Sequence, residues 1–219
     1  MKIDKDTVAL ITGASRGLGY ACALELGRKG AHVIALARTV GGLEELGDAI
    51  ENVGGTTTLV PLDITDEGGL QRMCLAIFER WGHLDLLVHC AAHAAPLSPV
   101  AHVSQKDFDR AWAVNARATQ RLIALCEPLL KAASDSAAIF IDDPVRGAKF
   151  FAPYAPSKVA AKAIVDIWAA ENATIGPKVL TFRPAPMPTS LRARFYPGED
   201  RKALSPPKTE ARRLLQMLM

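Results

Sequence analysis

The sequence predicts an α/β fold, a doubly wound parallel sheet of about six strands with helices on both faces. Short apolar runs alternate along the chain with longer stretches of helical spacing. Apolar runs without polar alternation are typical of strands that are buried on both faces of a parallel sheet. Because each parallel strand needs a crossover to reach the next, the alternation predicts helices on both sides of one sheet.

Six runs in the sequence have the length and composition of such strands. They run from Thr7 to Thr12, from His32 to Arg38, from Thr57 to Asp63, from Leu84 to Ala91, from Ala137 to Ile141 and from Lys178 to Phe182. The longest predicted helix lies between the fourth and fifth strands. Apolar residues recur there at helical spacing from Phe108 to Leu129.

The segment from Arg183 to Arg213 departs from this alternation. It holds eight basic and three acidic residues. Its six prolines predict that most of it is a loop, and only the stretch from Glu210 to Met219 has helical character. No repeat or linker divides the chain, so residues 1–219 are predicted to form a single dinucleotide-binding domain.

Composition excludes several classes of protein. Hydrophobic residues make up 49% of the chain and charged residues 22%, which is typical of a globular protein. The net charge of +3 does not by itself indicate a nucleic-acid partner. The N-terminus has no apolar signal core, and no apolar run reaches the ~20 residues of a membrane span. The four cysteines form no Cys-x-x-Cys pair, which favours a reducing compartment, and we expect a cytoplasmic protein.

The glycine cluster after the first strand has the pattern of a dinucleotide-binding turn and predicts a Rossmann-type sheet. Gly13 permits a tight turn, Gly17 lets the backbone approach a pyrophosphate, and Gly19 lets the helix lie close to the sheet. Free N–H groups at the start of the helix then face the anion. The predicted contacts of this turn are Gly13, Ser15, Arg16, Gly17, Leu18 and Gly19.

The end of the second strand indicates which coenzyme is bound. NAD-binding proteins place an acidic residue there for the ribose 2′-hydroxyl, whereas NADP-binding proteins place a basic one for the 2′-phosphate. This strand ends at Arg38, and the next acidic residue is Glu44. Arg38 can form a forked pair with a phosphate, and Arg16 can approach it from the glycine turn. The sequence therefore favours NADP(H) over NAD(H).

A tyrosine and a lysine follow the fifth predicted strand. Tyr154 and Lys158 are four residues apart, which on a helix places both on one face. A nearby ammonium stabilises a phenolate and lowers the phenol pKa. Tyr154 can then exchange a proton with an alcohol or carbonyl oxygen near neutral pH.

With these motifs in order, the chain resembles the short-chain dehydrogenase/reductase family over about residues 5–200. The motifs are the glycine turn, Leu62-Asp63-Ile64 after the third strand, Asn115 in the long helix, Tyr154 with Lys158, and the segment from Pro184 to Thr189. The resemblance implies an adenine contact at Asp63. It implies further coenzyme contacts at Ile64, Ala91, Tyr154, Lys158, Pro184, Met187 and Thr189.

The resemblance also implies the chemistry. Hydride passes between the nicotinamide C4 and the carbon of a small carbonyl or alcohol substrate, with Tyr154 as the acid/base. Lys158 lowers the pKa of Tyr154 and holds the nicotinamide ribose, and Asn115 anchors a water of the proton relay. Residues 185–210 correspond to the family's substrate loop, and a homodimer or homotetramer is expected. No nucleic-acid or membrane partner is expected.

One departure from the family pattern bears on activity. The family carries a serine just after the fifth strand, where this chain has Asp142-Asp143-Pro144. An ionised carboxylate at this place would repel a developing oxyanion. A protonated carboxyl group would instead donate a hydrogen bond to it, if burial raised the pKa of the acid. As a third alternative, Arg146 would neutralise the charge of the acid. The leading hypothesis is therefore an NADP(H)-dependent oxidoreductase, with activity weakened by the missing serine. The alternative is a catalytically impaired dinucleotide-binding sensor or assembly protein.

Two further departures concern the segment after the fourth strand, where the family's Asn-Asn-Ala-Gly is here His89-Cys90-Ala91-Ala92, and the number of strands. His89 and His93 lie four residues apart, but no third ligand follows at a suitable spacing. We therefore expect no metal, and a hydrogen-bonded structural role for His89. The sequence to Met219 supplies no counterpart of the family's last strand, so the predicted sheet has six strands.

Overall fold

A computed structural model of the protein describes residues 1–145 and 147–219. All strand pairings are parallel, in the order β3-β2-β1-β4-β5-β6. The predicted doubly wound Rossmann-type sheet is therefore confirmed. The strands are β1 (Val8–Thr12), β2 (His32–Ala37), β3 (Thr56–Pro61), β4 (Leu86–His89), β5 (Ala137–Ile141) and β6 (Lys178–Phe182).

Helices connect the strands and cover both faces of the sheet. Short 3₁₀ turns at Val100–His102 and Arg201–Ala203 lie in the loops. The helices are α1 (Gly17–Arg28), α2 (Val40–Glu51), α3 (Glu67–Trp81), α4 (Gln105–Ala111), α5 (Ala118–Ala132), α6 (Tyr154–Glu171), α7 (Ser190–Phe195) and α8 (Pro207–Gln216).

Side chains of each strand alternate between two cores, because successive residues of a strand point to opposite faces. Leu10 belongs to the core under α3, α5 and α6, whereas Ile11 belongs to the core under α1, α2 and α8. Both side chains are fully buried. A helical layer on each face explains why the strands read as continuous apolar runs.

The long helix predicted between β4 and β5 is not uniform. α4 passes into a π-helical segment, Trp112–Arg117, which passes into α5. π-helical turns inside α-helices occur frequently at functional sites. Asn115 lies in this segment and is buried. The irregular turn therefore positions a residue that the sequence marks as catalytic.

The prediction that most of the segment from Arg183 to Arg213 is a loop is wrong in part. α7 forms inside it, and Thr189 Oγ1 caps this helix by accepting a hydrogen bond from the backbone N–H of Arg192 at 3.2 Å. α8 begins at Pro207, three residues before its predicted start. Proline is tolerated in the first turn of a helix, where its missing N–H would have no helical partner.

The topology identifies where a ligand can bind. β2 and β3 lie on one side of β1, and β4, β5 and β6 lie on the other. Open α/β sheets bind ligands at the carboxyl ends of the strands, at the point where the strand order reverses. The predicted site residues follow the carboxyl ends of the strands. Among the described residues no helix is long and apolar enough to cross a bilayer.

Candidate active site

A cleft of about 850 Å³ lies at the carboxyl edge of the sheet. This volume is within the usual range of small-molecule sites. Of the three residues predicted to be catalytic, Tyr154 and Lys158 line the cleft, and Asn115 lies behind its wall. The residues predicted to contact the coenzyme all line it: Gly13, Ser15, Arg16, Gly17, Leu18, Gly19, Arg38, Asp63, Ile64, Ala91, Tyr154, Lys158, Pro184, Met187 and Thr189.

The glycine turn presents backbone to the cleft. Gly13 has a φ of 69°, and a Cβ there would lie 2.8 Å from the backbone nitrogen of Ala91. Gly17 has a φ of 60°, and a Cβ there would lie 3.2 Å from Thr189 Cγ2. Glycine adopts these conformations without strain and leaves the space open. Arg16 precedes α1 without a side-chain cap in the described chain, so the first N–H groups of α1 are available to an anion.

Two arginines lie at the end of the cleft formed by β2. The guanidinium of Arg16 donates to Thr39 Oγ1 at 3.3 Å. A guanidinium nitrogen of Arg38 lies 3.9 Å from Asp63 Oδ2, and the Arg38 side chain is 62% exposed. Both guanidinium groups lie at the cleft lining, where they can turn toward a phosphate.

Arg110 is a cleft residue that the sequence analysis missed. Its guanidinium donates to Asp63 Oδ2 at 2.7 Å. Burial alone would raise the pKa of Asp63, but hydrogen bonds from Arg110 and Thr65 outweigh it and lower the pKa to about 2. Asp63 is therefore held as a carboxylate. Arg110 comes from α4 and Asp63 follows β3, so no local sequence signal pairs them.

Asn115 holds the backbone of the loop that follows β4. Its Oδ1 accepts from the backbone N–H of His93 at 2.7 Å, and its Nδ2 donates to the His93 carbonyl at 3.0 Å. Nδ2 also donates to Ser157 Oγ of α6 at 2.9 Å. The side-chain amide therefore ties three elements of the site together. These contacts make Asn115 a positioning residue.

Tyr154 begins α6 with its hydroxyl directed at a carboxylate. Tyr154 Oη donates to Asp143 Oδ2 at 3.0 Å, and the residue is 2% exposed. Its ring packs against the ring of Phe195 from α7, with centroids 4.9 Å apart. Among Asp142, Asp143 and Pro144, the residues within which the family's serine falls, Asp143 is therefore the one whose side chain bonds the tyrosine.

The electrostatics of Tyr154 differ from those that the sequence predicts. Burial, followed by the nearby Asp143 and Asp142 carboxylates, raises the pKa of Tyr154 well above its ordinary value. Burial also lowers the pKa of Lys158, whereas Asp143 and Asp142 act to raise it. Burial and the adjacent carboxylates therefore disfavour the phenolate in this arrangement, and the lowering effect expected from Lys158 stays a prediction.

Lys158 and the two aspartates have separate partners. Lys158 Nζ donates to the carbonyl of Ile141 at 2.8 Å. The guanidinium of Arg183 donates to Asp142 Oδ2 at 2.9 Å. Asp143 instead accepts from Tyr154, which identifies it as a hydrogen-bond acceptor here. Arg146, the other partner that the sequence offers to these acids, lies outside the described residues.

His89 is a structural residue, as expected. Its Nδ1 lies 2.7 Å from Thr12 Oγ1, and its Nε2 lies 3.1 Å from Thr119 Oγ1. Burial, followed by the charge of Lys158, lowers the pKa of His89 to about 3. Within residues 1–145 and 147–219, no cluster of three or more metal-ligating side chains occurs.

The segment after β6 closes one side of the cleft. Arg192 pairs with Glu199 through two hydrogen bonds of 2.5 and 2.6 Å. The guanidinium of Arg194 donates to the carbonyl of Ala94 at 3.0 Å, which ties α7 to the loop after β4. Phe195 is buried against Tyr154. Residues from the predicted substrate loop thus contact the tyrosine directly.

The chain matches the family described as short chain dehydrogenase over residues 7–200. It is 33% identical over 172 residues to a fatty acyl-CoA reductase from Acinetobacter baylyi. That match covers 76% of this chain and 58% of the relative, so the chain spans less than two thirds of the relative's length.

Solved structures share the fold over nearly the whole chain. A short chain dehydrogenase from Shigella flexneri complexed with NADP has a TM-score of 0.91 and 25% identity. That alignment covers 99% of this chain and 92% of the other. A 7α-hydroxysteroid dehydrogenase complexed with NADH and 7-oxo glycochenodeoxycholic acid has a TM-score of 0.87 and 23% identity, over 99% of this chain and 88% of the other. At that identity the second likeness concerns the fold alone.

Proposed function

The chain belongs to the short-chain dehydrogenase family, and from that membership we propose that it is an NADP(H)-dependent oxidoreductase. The reaction interconverts a carbonyl and an alcohol by hydride transfer, with Tyr154 as the acid/base. One observation carries the proposal: Tyr154, Lys158 and a glycine turn open to a pyrophosphate line the same cleft. A dinucleotide needs the turn and proton transfer needs the phenol, so a shared cleft serves both.

The side chains and backbone of the cleft fit a phosphorylated dinucleotide. The turn at Gly13 and Gly17 leaves backbone exposed, and the start of α1 offers free N–H groups to a pyrophosphate. Arg16 and Arg38 provide charge for a ribose phosphate. The coenzyme supplies hydride chemistry at its nicotinamide, while this chain supplies orientation and proton transfer. The Shigella flexneri neighbour, complexed with NADP, supports NADP(H).

Each predicted catalytic residue has a defined task in this proposal. Tyr154 gives or takes a proton at Oη. Lys158 would hold the nicotinamide ribose, and in the structure its ammonium donates to the Ile141 carbonyl. Asn115 fixes the His93 backbone at the cleft wall. Because Asp143 stands where the family has a neutral serine, we expect carbonyl turnover to be slow.

A second candidate is a dinucleotide-binding sensor or assembly protein with little catalysis. The Tyr154 hydroxyl is engaged by Asp143, and the residue is 2% exposed. A carboxylate beside the reacting oxygen opposes the negative charge that develops during carbonyl reduction. Such a protein would bind the coenzyme as tightly as the enzyme does and differ only in turnover.

The wider organisation of the protein is also a proposal. We infer a single dinucleotide-binding domain over residues 1–219, in which residues 185–210 form the substrate loop. A homodimer or homotetramer is supported by exposed apolar side chains, among them Phe108, Trp112 and Ile167. A cytoplasmic location is supported by the absence of disulfides among four cysteines.

Coenzyme titration followed by a turnover screen tests the proposal. Calorimetry with NADPH and NADH should give tighter binding of NADPH, because only NADPH carries a ribose 2′-phosphate, which Arg16 and Arg38 can bind. A panel of aldehydes and ketones is then followed through the loss of NADPH absorbance. Tyr154→Phe should retain NADPH affinity and lower turnover by roughly 10²–10⁴-fold, since it removes the acid/base hydroxyl.

One result separates the two candidate functions, and two others test the roles given to single residues. Binding of NADPH without turnover of any carbonyl selects the sensor. Tighter binding of NADH than of NADPH contradicts the role of Arg38. Equal turnover by Tyr154→Phe and the parent protein contradicts the acid/base role of Tyr154.

A further inference from the structure

Asp143 is the charged group closest to the place of reaction. Tyr154 Oη donates to Asp143 Oδ2 at 3.0 Å. An acid/base hydroxyl works within about 2.6–3.2 Å of the atom that receives its proton. The reacting heteroatom of a substrate therefore lies no more than about 6 Å from the Asp143 carboxylate, which is close enough for its charge to decide which substrate reacts.

The charges that face Asp143 do not include a direct counterion among the described residues. Asp142 is held by Arg183, and Arg192 is held by Glu199. Lys158 is a neighbouring cation, but its ammonium donates to a backbone carbonyl. Within the part of the chain that the structure describes, Asp143 forms no ion pair and has Tyr154 as its side-chain partner. Relative to a site with a neutral serine, the described residues around this one carry an additional negative charge.

The sign of that charge favours one class of hydride acceptor. A carbonyl gains negative charge on oxygen as hydride reaches its carbon, and a carboxylate opposes that change. A protonated carbon–nitrogen double bond is a cation when it binds, and a carboxylate attracts it. We propose that the preferred substrate is a protonated imine, and that Asp143 is the residue that selects it. This inference rests on the proposed function, because it assumes hydride transfer in the same cleft.

The step balances without a further reactant. The imine carbon gains one hydrogen nucleus and two electrons from the reduced nicotinamide, which is thereby oxidised. The π electron pair of the C=N bond becomes the lone pair of the amine nitrogen, and the positive charge of the substrate is lost. Asp143 attracts the substrate for as long as the substrate carries its positive charge, and it forms no covalent bond.

A matched pair of substrates tests the selection. The rate of NADPH loss is measured with 2-methyl-1-pyrroline, a cyclic imine, and with cyclopentanone, a ketone of similar size. The parent protein should prefer the imine in kcat/KM. Asp143→Asn keeps the shape and removes the charge, so the imine-to-ketone ratio should fall on the order of 100-fold. Asp143→Ser should shift the ratio in the same direction by restoring a hydroxyl donor.

Equilibrium binding gives a second readout that needs no turnover. Calorimetry on the complex with NADP⁺ compares benzamidine, a planar cation, with benzamide, its neutral counterpart. The parent protein should bind benzamidine more tightly, and Asp143→Asn should remove most of that preference. Equal binding of the two probes, or undetectable binding of benzamidine, overturns the inference. An unchanged imine-to-ketone ratio in both Asp143 variants also overturns it.

The controls keep this inference separate from the proposed function. Asp166→Asn changes an exposed aspartate of α6 that pairs with Lys162, and it should leave both ratios unchanged. Each variant is first checked for NADPH affinity and circular dichroism, so that misfolding is recognised. If the parent protein does not bind NADPH, the proposed function is contradicted. Binding of NADPH with equal use of imine and ketone contradicts only the role of Asp143.

Discussion

Individual side chains around the cleft owe their charge states to burial and to a few named partners. Asp63 is held as a carboxylate by Arg110, whereas His89 is held neutral by burial between two threonine hydroxyls. Burial acts on both groups, but only Asp63 has a counterion to outweigh it. We therefore expect His89 to make the fold sensitive to acid, and a substitution separates its contribution from those of the other histidines.

We predict that His89→Asn reduces the loss of stability in acid. The pKa of His89 is about 3 in the folded protein, against an ordinary value of 6.5. Above about pH 6.5 the imidazole is neutral in both the folded and the unfolded protein, so it does not reduce the free energy of unfolding. As the pH falls from 6.5 toward 3, only the unfolded protein takes up the proton, and the free energy of unfolding decreases. Between about pH 7 and about pH 4.5 the variant should lose about 3 kcal/mol less of its free energy of unfolding than the parent protein.

Urea denaturation at the two pH values measures this difference. His102→Asn is the matched control, because His102 is exposed and its loss should leave the acid dependence unchanged. Equal acid losses in His89→Asn and the parent protein would show that His89 is not the titrating group.

Short helical elements, rather than the strands of the sheet, position several of the side chains in and around the cleft. The π-helical turn carries Asn115 to the loop after β4, and α7 carries Phe195 to Tyr154. α7 has six residues, too few for stability of its own, so it depends on its cap and its tertiary contacts. Thr189 is that cap, and it also lines the cleft.

We predict that Thr189→Ala loosens α7 without unfolding the protein. The lost cap should cost about 1 kcal/mol locally, which makes opening of the helix about fivefold more frequent. Trypsin should then cut after Arg192 and Arg194 faster by about the same factor, because proteolysis follows the population of open forms. Thr189→Ser keeps a hydroxyl that can cap, and should cleave at the parent rate. An unchanged cleavage rate in Thr189→Ala would show that the Thr189 cap does not stabilise α7.

At the scale of the whole molecule, α8 is an integral part of one of the two cores. Leu214 of α8 is fully buried in the core that includes α1 and α2. The basic segment from Arg183 to Arg213 therefore continues into a helix whose apolar side is part of this core. Its arginines contribute to this attachment, since Arg212 donates to Glu25 of α1 at 3.1 Å.

We predict that Leu214→Ala lowers the free energy of unfolding by about 2–5 kcal/mol, because it removes buried methyl groups and leaves a cavity. Leu75→Ala is the matched control, as Leu75 lies on α3 with 56% of its surface exposed, and it should change stability by about 0.5 kcal/mol or less. Chemical denaturation of both variants measures the difference. A small effect at Leu214 would mean that α8 is detached in solution.

The sheet and the glycine turn could be predicted because their signals are local. Apolar runs give the strands, and the spacing of Gly13, Gly17 and Gly19 gives the turn. Contacts between distant residues could not be predicted in this way. Asp143 meets Tyr154 only because a loop returns to the start of α6, and Arg110 meets Asp63 across two elements.

α7 was missed for a different reason. The prolines before it favour a loop, and they outweighed the weaker local signal of Thr189, a residue type that commonly caps helices. Because α7 is so short, we expect it to need the packing of Phe195 on Tyr154 in addition to its cap. That contact joins distant parts of the chain, so the local sequence did not reveal it.

The ring of Phe195 packs on that of Tyr154 and restricts the directions from which a substrate of the proposed reaction can approach the phenol oxygen. A prochiral centre held beside the phenol would present one face to the nicotinamide of the proposed coenzyme. Turnover would then yield one enantiomer in place of a racemate, and the handedness of the product would record the position of an aromatic ring in a six-residue helix.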